Sequence, residues 1–198
     1  MIEAGGGPDN PLAGSGGTPS AGGSGAVGSD ASGSGAVGSG AGANNTSGTE
    51  GCVVLTNQAP MQGAQAHDYA FCFTPLTQAS ARADCVDRGM TLAVIEDRPE
   101  NDWIARTLSE RYKGDSSRAF IGANDVTTEG EWRWANGNTF WRNGPVIGQF
   151  INWNKVDGEP NDESPIAGAA DCLTMYVSDG TWADLSCEAE LPYVCEPR

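Results

Sequence analysis

The chain has 198 residues, a formal net charge of −15 at pH 7 and a pI near 4.2, which excludes a nucleic-acid partner because neutralising phosphates takes clustered Lys and Arg that are absent here. No run of about 18 apolar residues is present, so a membrane-spanning helix is excluded as well. Its 28 glycines crowd towards the start, and one folded domain is expected behind a segment of different character.

Residues 1–50 are almost entirely Gly, Ser, Ala, Asn, Thr, Pro and Asp, with imperfect repeats such as Gly25-Ala26-Val27-Gly28-Ser29 and Gly35-Ala36-Val37-Gly38-Ser39. Such a segment has too little apolar surface to offset the entropy of ordering, so a flexible linker is expected, with a root-mean-square reach on the order of 40 Å. That reach suits a tether holding a domain, residues 51–198, away from a surface. Met1 to Gly7 has neither the basic region nor the apolar core of a signal peptide. If the chain is exported, its signal is expected to have been removed or to lie upstream. Membrane contact is then expected only through an anchor upstream of Met1, as in a surface lipoprotein.

From Cys52 onward, aromatic and β-branched residues alternate with charges. Thr77 to Arg88 reads as a helix capped by Thr77 and stopped by Gly89, with Ala81 and Cys85 on its inner face. Thr91 to Ile95 reads as a short buried strand. A second helix is expected from about Pro99 to about Tyr112, with Glu100 and Asp102 in its first turn and Ile104 and Leu108 facing inward. Further strands are expected at Arg118 to Ile121, Glu131 to Trp134, Leu173 to Val177 and Tyr193 to Glu196. Trp132, Trp134, Trp153 and Trp182 are expected in the core, whereas Trp141 suits core and ligand contact equally. Trp141 to Cys172 is long, rich in Gly, Asn and Pro, and aperiodic; loops of this kind inside a domain are usually functional.

The cysteines Cys52, Cys72, Cys85, Cys172, Cys187 and Cys195 are even in number and contain no Cys-x-x-Cys pair, and His67 is the only histidine. Three disulfides are therefore expected in place of a zinc site, and with them an oxidising, extracellular compartment. Six cysteines allow 15 pairings, among which spacing does not choose. In the loop, Gly158-Glu159-Pro160-Asn161-Asp162 precedes Asp171-Cys172 and Trp182-Ala183-Asp184-Leu185-Ser186-Cys187. Carboxylates and a carboxamide on a segment that cysteines can pin form a cage for a hard cation that prefers oxygen ligands, and calcium is the expected cofactor. No nucleophile elbow, zinc-protease helix, phosphate loop or dinucleotide fingerprint is present. The Asp157 and Glu159 pair has no sign of the split pKa values a glycosidase needs. An enzyme is not expected.

These features, in this order, resemble the C-type lectin-like domain. The resemblance rests on Phe71-Cys72-Phe73, Ala83-Asp84-Cys85, Leu92-Ala93-Val94-Ile95, Phe120-Ile121-Gly122-Ala123-Asn124-Asp125 and Glu129-Gly130-Glu131-Trp132-Arg133-Trp134. It continues through Asn152-Trp153, Gly158 to Asp162, Asp171-Cys172, Gly180-Thr181-Trp182-Ala183-Asp184, Cys187 and Val194-Cys195-Glu196. It implies an α+β fold, with two helices flanking a mixed, mostly antiparallel sheet that carries a long ligand-binding loop. It also implies the pairings Cys52 with Cys72, Cys85 with Cys195 and Cys172 with Cys187, the first closing an elongated amino-terminal hairpin, and a cis peptide before Pro160.

The resemblance further implies two adjacent calcium sites. At the sugar site, Glu159, Asn161 and Asp184 match family ligands, while Ala170 and Ala183 stand where two more oxygen donors are usual; Glu163 is the expected substitute. At the auxiliary site Asp125, Glu129, Asp162 and Asp171 match the side-chain ligands. The implied function is calcium-dependent binding of a mannose-type glycan through vicinal equatorial hydroxyls. The alternative is a decayed sugar site on a domain that binds a protein partner or serves structurally.

Overall fold

Thr77 and Asp97 fix where the two helices begin. In the computed structural model, which describes residues 51–57, 66–166 and 168–198, the Thr77 hydroxyl accepts from Ser80 N and opens α1 (Gln78–Asp87). The Asp97 carboxylate accepts from Glu100 N at 2.9 Å and opens α2 (Arg98–Arg111). These short polar side chains satisfy N–H groups that have no partner within the helix. The second helix thus starts one residue before Pro99, because the cap lies at Asp97 and the proline falls within the first turn, where its missing N–H is not needed. It ends one residue early, since Tyr112 is already extended. The linker expected over residues 1–50 lies outside the described residues.

Among the described residues nine strands form one sheet. β1 (Cys52–Thr56) pairs antiparallel with β2 (Asp68–Leu76), with Cys52 opposite Cys72. β2 in turn pairs with β9 (Leu191–Pro197), which also takes β3 (Met90–Leu92). β9 meets β4 (Arg118–Asn124) in parallel at Phe120 and Tyr193, whereas the other ladders are antiparallel. From β4 the sheet runs through β5 (Glu131–Trp134) to β6 (Thr139–Arg142), while β7 (Cys172–Tyr176) lies on β4 and carries β8 (Trp182–Leu185). This is the α+β architecture expected, with β1 and β2 forming the elongated amino-terminal hairpin that the resemblance implies, although β6 and β8 were not placed as strands from the sequence.

The strand expected over Thr91 to Ile95 stops at Leu92. Beyond it Val94 N donates to the Glu196 carboxylate at 3.0 Å, so a side chain takes the N–H that a neighbouring strand would have used. Ala93 O accepts from Gly122 N at 2.7 Å. The two backbones pass so closely here that a Cβ on Gly122 would lie against the Leu92 carbonyl.

Trp182 holds the centre of the core. Fully buried, it donates through Nε1 to Asn101 Oδ1 at 2.8 Å, which ties β8 to α2. Its ring meets Trp134 and Phe140 edge-on at 5.5 and 5.8 Å, and Trp132 packs on Trp153 at 5.0 Å. All four tryptophans expected in the core are buried. Trp141 is half-buried, its ring against Trp153 at 6.0 Å.

The three disulfides join Cys52 to Cys72, Cys85 to Cys195 and Cys172 to Cys187. The second links α1 to β9 across a sequence separation of 110, for which loop-closure entropy gives on the order of 4–5 kcal/mol. Replacing Cys85 and Cys195 together by Ala is therefore expected to lower the denaturant midpoint strongly, as read by equilibrium unfolding.

A group of buried acids lies beside α2. The Tyr69 hydroxyl donates to Glu100 Oε1 at 2.6 Å, and Glu96 N donates to Glu100 Oε2 at 2.7 Å. Burial pushes the Glu196 carboxyl up from 4.5 to about 8, and the nearby Glu100 and Glu96 charges add to the rise. Within that window the folded protein holds a proton that the unfolded chain has released, so stability falls as pH rises from about 4.5 towards 8. Glu196→Gln keeps an acceptor for Val94 and removes the titration. In chelator, the melting temperature of the variant is expected to decline less across this range than that of the wild type.

Candidate functional site

The long loop between β6 and β7 is shaped by side chains that stand in for secondary structure. Asn154 Oδ1 accepts from Val156 N and Asp157 N at 3.0 and 3.3 Å, an Asx turn of the kind a short amide favours. Glu159 N then donates to Asn154 O at 3.0 Å, and the Glu159-Pro160 peptide is cis, as expected. Asp162 adopts φ +56°, a left-handed conformation that Asp tolerates better than most residues, and its Oδ1 accepts from Ala170 N at 3.2 Å.

Asp184, on β8, anchors this loop to the core. Its Oδ2 accepts from Asn161 N at 2.9 Å and from Asp162 N at 2.7 Å. Its Oδ1 is buried without a hydrogen-bond partner, and so is Glu159 Oε2. The Glu159 carboxyl is raised by burial first, and then by the Asp184 carboxylate that faces it. Buried acceptors left unpaired are costly unless a proton or a cation completes them. Glu159 and Asp184 are therefore brought together, and their orphan oxygens fit a cation. Asn161 Oδ1 turns back to accept from Glu163 N at 2.8 Å, and Glu163 is exposed. Glu159, Asn161 and Glu163 line one cavity of about 510 Å³ with Arg118, Asp157, Ser164, Pro165 and Tyr176. Ala170 and Ala183 are both buried and bring methyl groups to the two positions where the resemblance implies oxygen donors.

The auxiliary cluster lies where β4 runs out. Asp125, Glu129 and Asp171 each offer an oxygen within 4.8 Å of the others. The Thr128 N to Asp125 O bond at 2.9 Å closes the turn between the first two, and Asp125 N donates to Asp171 O at 3.1 Å, bringing in the third. Asp125 Oδ2 accepts from Gly130 N at 2.9 Å, while its Oδ1 is buried and unpartnered. Burial, reinforced by the Glu129 and Asp171 charges, pushes the Asp125 carboxyl up to about 7. The Asp171 carboxyl is also raised, by burial first and then by Asp162 and Asp184. Asp162 does not join the three-residue cluster, its Oδ1 being turned to Ala170 N. The orphan oxygen and the crowded charge again fit a divalent cation that takes oxygen ligands.

Two residues on the cavity wall, Arg118 and Tyr176, were not singled out from the sequence. The available signal was an arginine opening an otherwise apolar strand, Ala119-Phe120-Ile121, which by itself reads as an exposed strand end.

Residues 74–197 match the family described as the Lectin C-type domain. The chain belongs to the C-type lectin family. This lectin is 30% identical over 135 residues to mouse C-type lectin domain family 4 member E, a match covering 67% of this chain and 56% of that protein. The chain thus spans little more than half of that relative's length. Among solved structures it is similar to the cow C-type carbohydrate-recognition domain of CD23, crystallised in the presence of GlcNAc2Man3 oligosaccharide, with 29% identity, a TM-score of 0.52 and coverage of 67% of this chain and 88% of that one. The fold is also that of a calcium-independent type II antifreeze protein, with a TM-score of 0.51 at 23% identity, covering 73% of this chain and 95% of that one. The lectins of this family are non-enzymatic carbohydrate-binding proteins. Among the described residues no helix of the lectin is long and apolar enough to cross a membrane.

The acids at the auxiliary cluster repel one another strongly unless a cation is present, and only the folded chain gathers them. Calcium at 100 times its dissociation constant is expected to stabilise the lectin by about 2.7 kcal/mol, raising the melting temperature by several degrees. Asp125→Asn combined with Asp171→Asn should remove most of that increment and Glu159→Gln little of it, as read by calorimetry in calcium and in chelator.

Proposed function

We propose that this lectin binds mannose-type glycans in a calcium-dependent manner, through vicinal equatorial hydroxyls presented to Glu159, Asn161 and Asp184. The observation that carries the reading is the pair of buried, unpartnered oxygens, Glu159 Oε2 and Asp184 Oδ1, the first of them on a residue that lines the cavity with Asn161 and Glu163. In the apo protein each costs free energy, so a ligand that completes both gains affinity from relieving that cost. Bound calcium would supply a hard centre for two sugar oxygens as well as for these carboxylates. Glu159, Asn161 and Asp184 would hold it, with Glu163 on the same cavity as the candidate further ligand, and Asp125, Glu129 and Asp171 would hold a second ion, with the Asp162 oxygen that Ala170 N does not take as the expected fourth ligand. The protein's own part is preorganisation: Asp184 fixes the Asn161 and Asp162 backbone, so the loop arrives in position without ordering on binding. The Glu-Pro-Asn sequence and the mannose-containing oligosaccharide named for the cow CD23 structure support the mannose class. Export and tethering by the Gly/Ser-rich residues 1–50 complete the proposal, supported by three disulfides and the linker composition.

Ala170 and Ala183 favour a second reading, in which the sugar site no longer holds calcium and the domain binds a protein or is structural. A glycan array run in millimolar calcium and in chelator separates the two: the first reading expects chelator-sensitive binding to mannose-terminated glycans, the second none. Asn161→Ala is expected to weaken glycan binding on the order of 10-fold or more, about 1.4 kcal/mol per decade, with an unchanged melting temperature in chelator, because the side chain lies on the loop.

A further inference from the structure

Asn101 is fully buried near the start of α2, where a carboxamide is costly unless both of its ends are satisfied. Both ends are. Its Oδ1 accepts from Trp182 Nε1 at 2.8 Å, and its Nδ2 donates to Gly180 O at 3.1 Å. These partners stand two residues apart at the entry to β8, so one planar group fixes where that strand starts and how it is turned about its axis. Close packing tightens the hold: Gly180 has φ +73°, and a Cβ there would lie 2.8 Å from Ala105 Cβ and 2.9 Å from Asn101 Nδ2. The ring contacts around Trp182 tolerate sliding, whereas hydrogen bonds weaken steeply once misaligned.

From this entry the two carboxylates with orphan oxygens are reached by separate routes. Asp184 follows Trp182 by two positions, on the same face of β8, and its Oδ2 takes the Asn161 and Asp162 N–H groups. Trp182 O accepts from Asn154 N at 2.8 Å, and Asn154 O accepts from Glu159 N at 3.0 Å. Asn152 braces the junction, its Nδ2 donating to Gly180 O at 2.7 Å and its carbonyl accepting from Trp182 N at 2.8 Å. We infer that Asn101 is a positioning residue for Glu159 and Asp184: it touches no ligand, and through Trp182 it holds the two carboxylates in one relation to each other. The inference rests on the sugar reading of that pair. The Asp125 turn is closed by bonds of its own, Thr128 N to Asp125 O and Gly130 N to Asp125 Oδ2, and neither passes through Trp182.

Asn101→Ala and Trp182→Phe remove the same hydrogen bond from its two sides, and Leu108→Ala, at a buried position of the same helix outside this route, is the control for a loosened core. Titration calorimetry with methyl mannoside in millimolar calcium is expected to show affinity lowered on the order of tenfold by either of the first two. The double variant should be little weaker than Asn101→Ala alone, because the shared bond is lost once. Leu108→Ala should lower the melting temperature and leave the affinity near that of the wild type. Amide hydrogen exchange in chelator reads the positioning without sugar: in Asn101→Ala the N–H groups of Glu159, Asn161 and Asp162 are expected to exchange on the order of tenfold faster, while those of Thr128 and Gly130 keep wild-type rates. Should Asn101→Ala fail to fold, Trp182→Phe carries both measurements. Unchanged exchange in the loop, equal acceleration in both groups of amides, additive losses in the double variant, or a loss of affinity in Leu108→Ala as large as in Asn101→Ala would overturn the assignment. A wild type that binds no mannoside removes the sugar reading, and the exchange rates then still decide whether Asn101 positions the pair.

Discussion

The geometry of the ligand side depends on one carboxylate. Asp184 sits in a buried strand, and with a single oxygen it receives two consecutive N–H groups of the loop, from Asn161 and Asp162. A charged acceptor with two donors is among the stronger contacts available to a chain segment without regular structure. It fixes the direction of the Glu159 to Asp162 stretch, and it leaves the other oxygen unpaired and facing Glu159. Loop anchorage and ligand readiness are thus two faces of the same side chain, which is why the tryptophan core beneath it bears on the site. Trp182, two residues before Asp184, is pinned by Asn101 of α2 and by ring contacts on several sides.

Much of this fold was legible in the chain. Thr77 before a helical pattern, Gly89 after it, and tryptophans alternating with charged residues in Glu131 to Trp134 are local signals that obey one period, and the structure follows them. The strands that escaped notice had weaker signals. β6 follows a tight turn at Gly137, and β8 contains Ala and Asp, residues of low strand propensity that tertiary pairing overrides. β3 was over-extended because Ala93 to Ile95 is apolar and buried in the manner of a strand, and Ala93 N still donates to Val194 O of β9, while the next N–H, that of Val94, goes to a side chain and Ala93 O accepts from Gly122.

The candidate site was legible in a different sense. Sequence motif singled out Glu159, Asn161, Asp184, Asp125, Glu129 and Asp171, and the fold leaves an orphan oxygen on three of them, Glu159, Asp184 and Asp125. What no one-dimensional reading could supply is the partnership of Arg118 with Tyr176. The two lie 58 positions apart and meet only because β4 and β7 pair antiparallel with Arg118 opposite Tyr176. Asp162 shows the opposite limit: a motif assigns it to a cluster of four, yet a backbone N–H, that of Ala170, claims one of its oxygens.

Gly122 couples regions that share no ligand. The backbone of β4 crosses the segment from Leu92 to Ala93 with no room for a methyl group, and it receives a further bond from Ala135 N at 2.6 Å. Asp125 stands three residues beyond that crossing; its N–H donates to Asp171 O, and its carbonyl accepts from Thr128 N in the turn that leads to Glu129. Anything that widens the crossing shifts the first member of the acidic cluster relative to the other two. The affinity of that cluster for an ion is therefore a gauge of how tightly two distant stretches of main chain are pressed together.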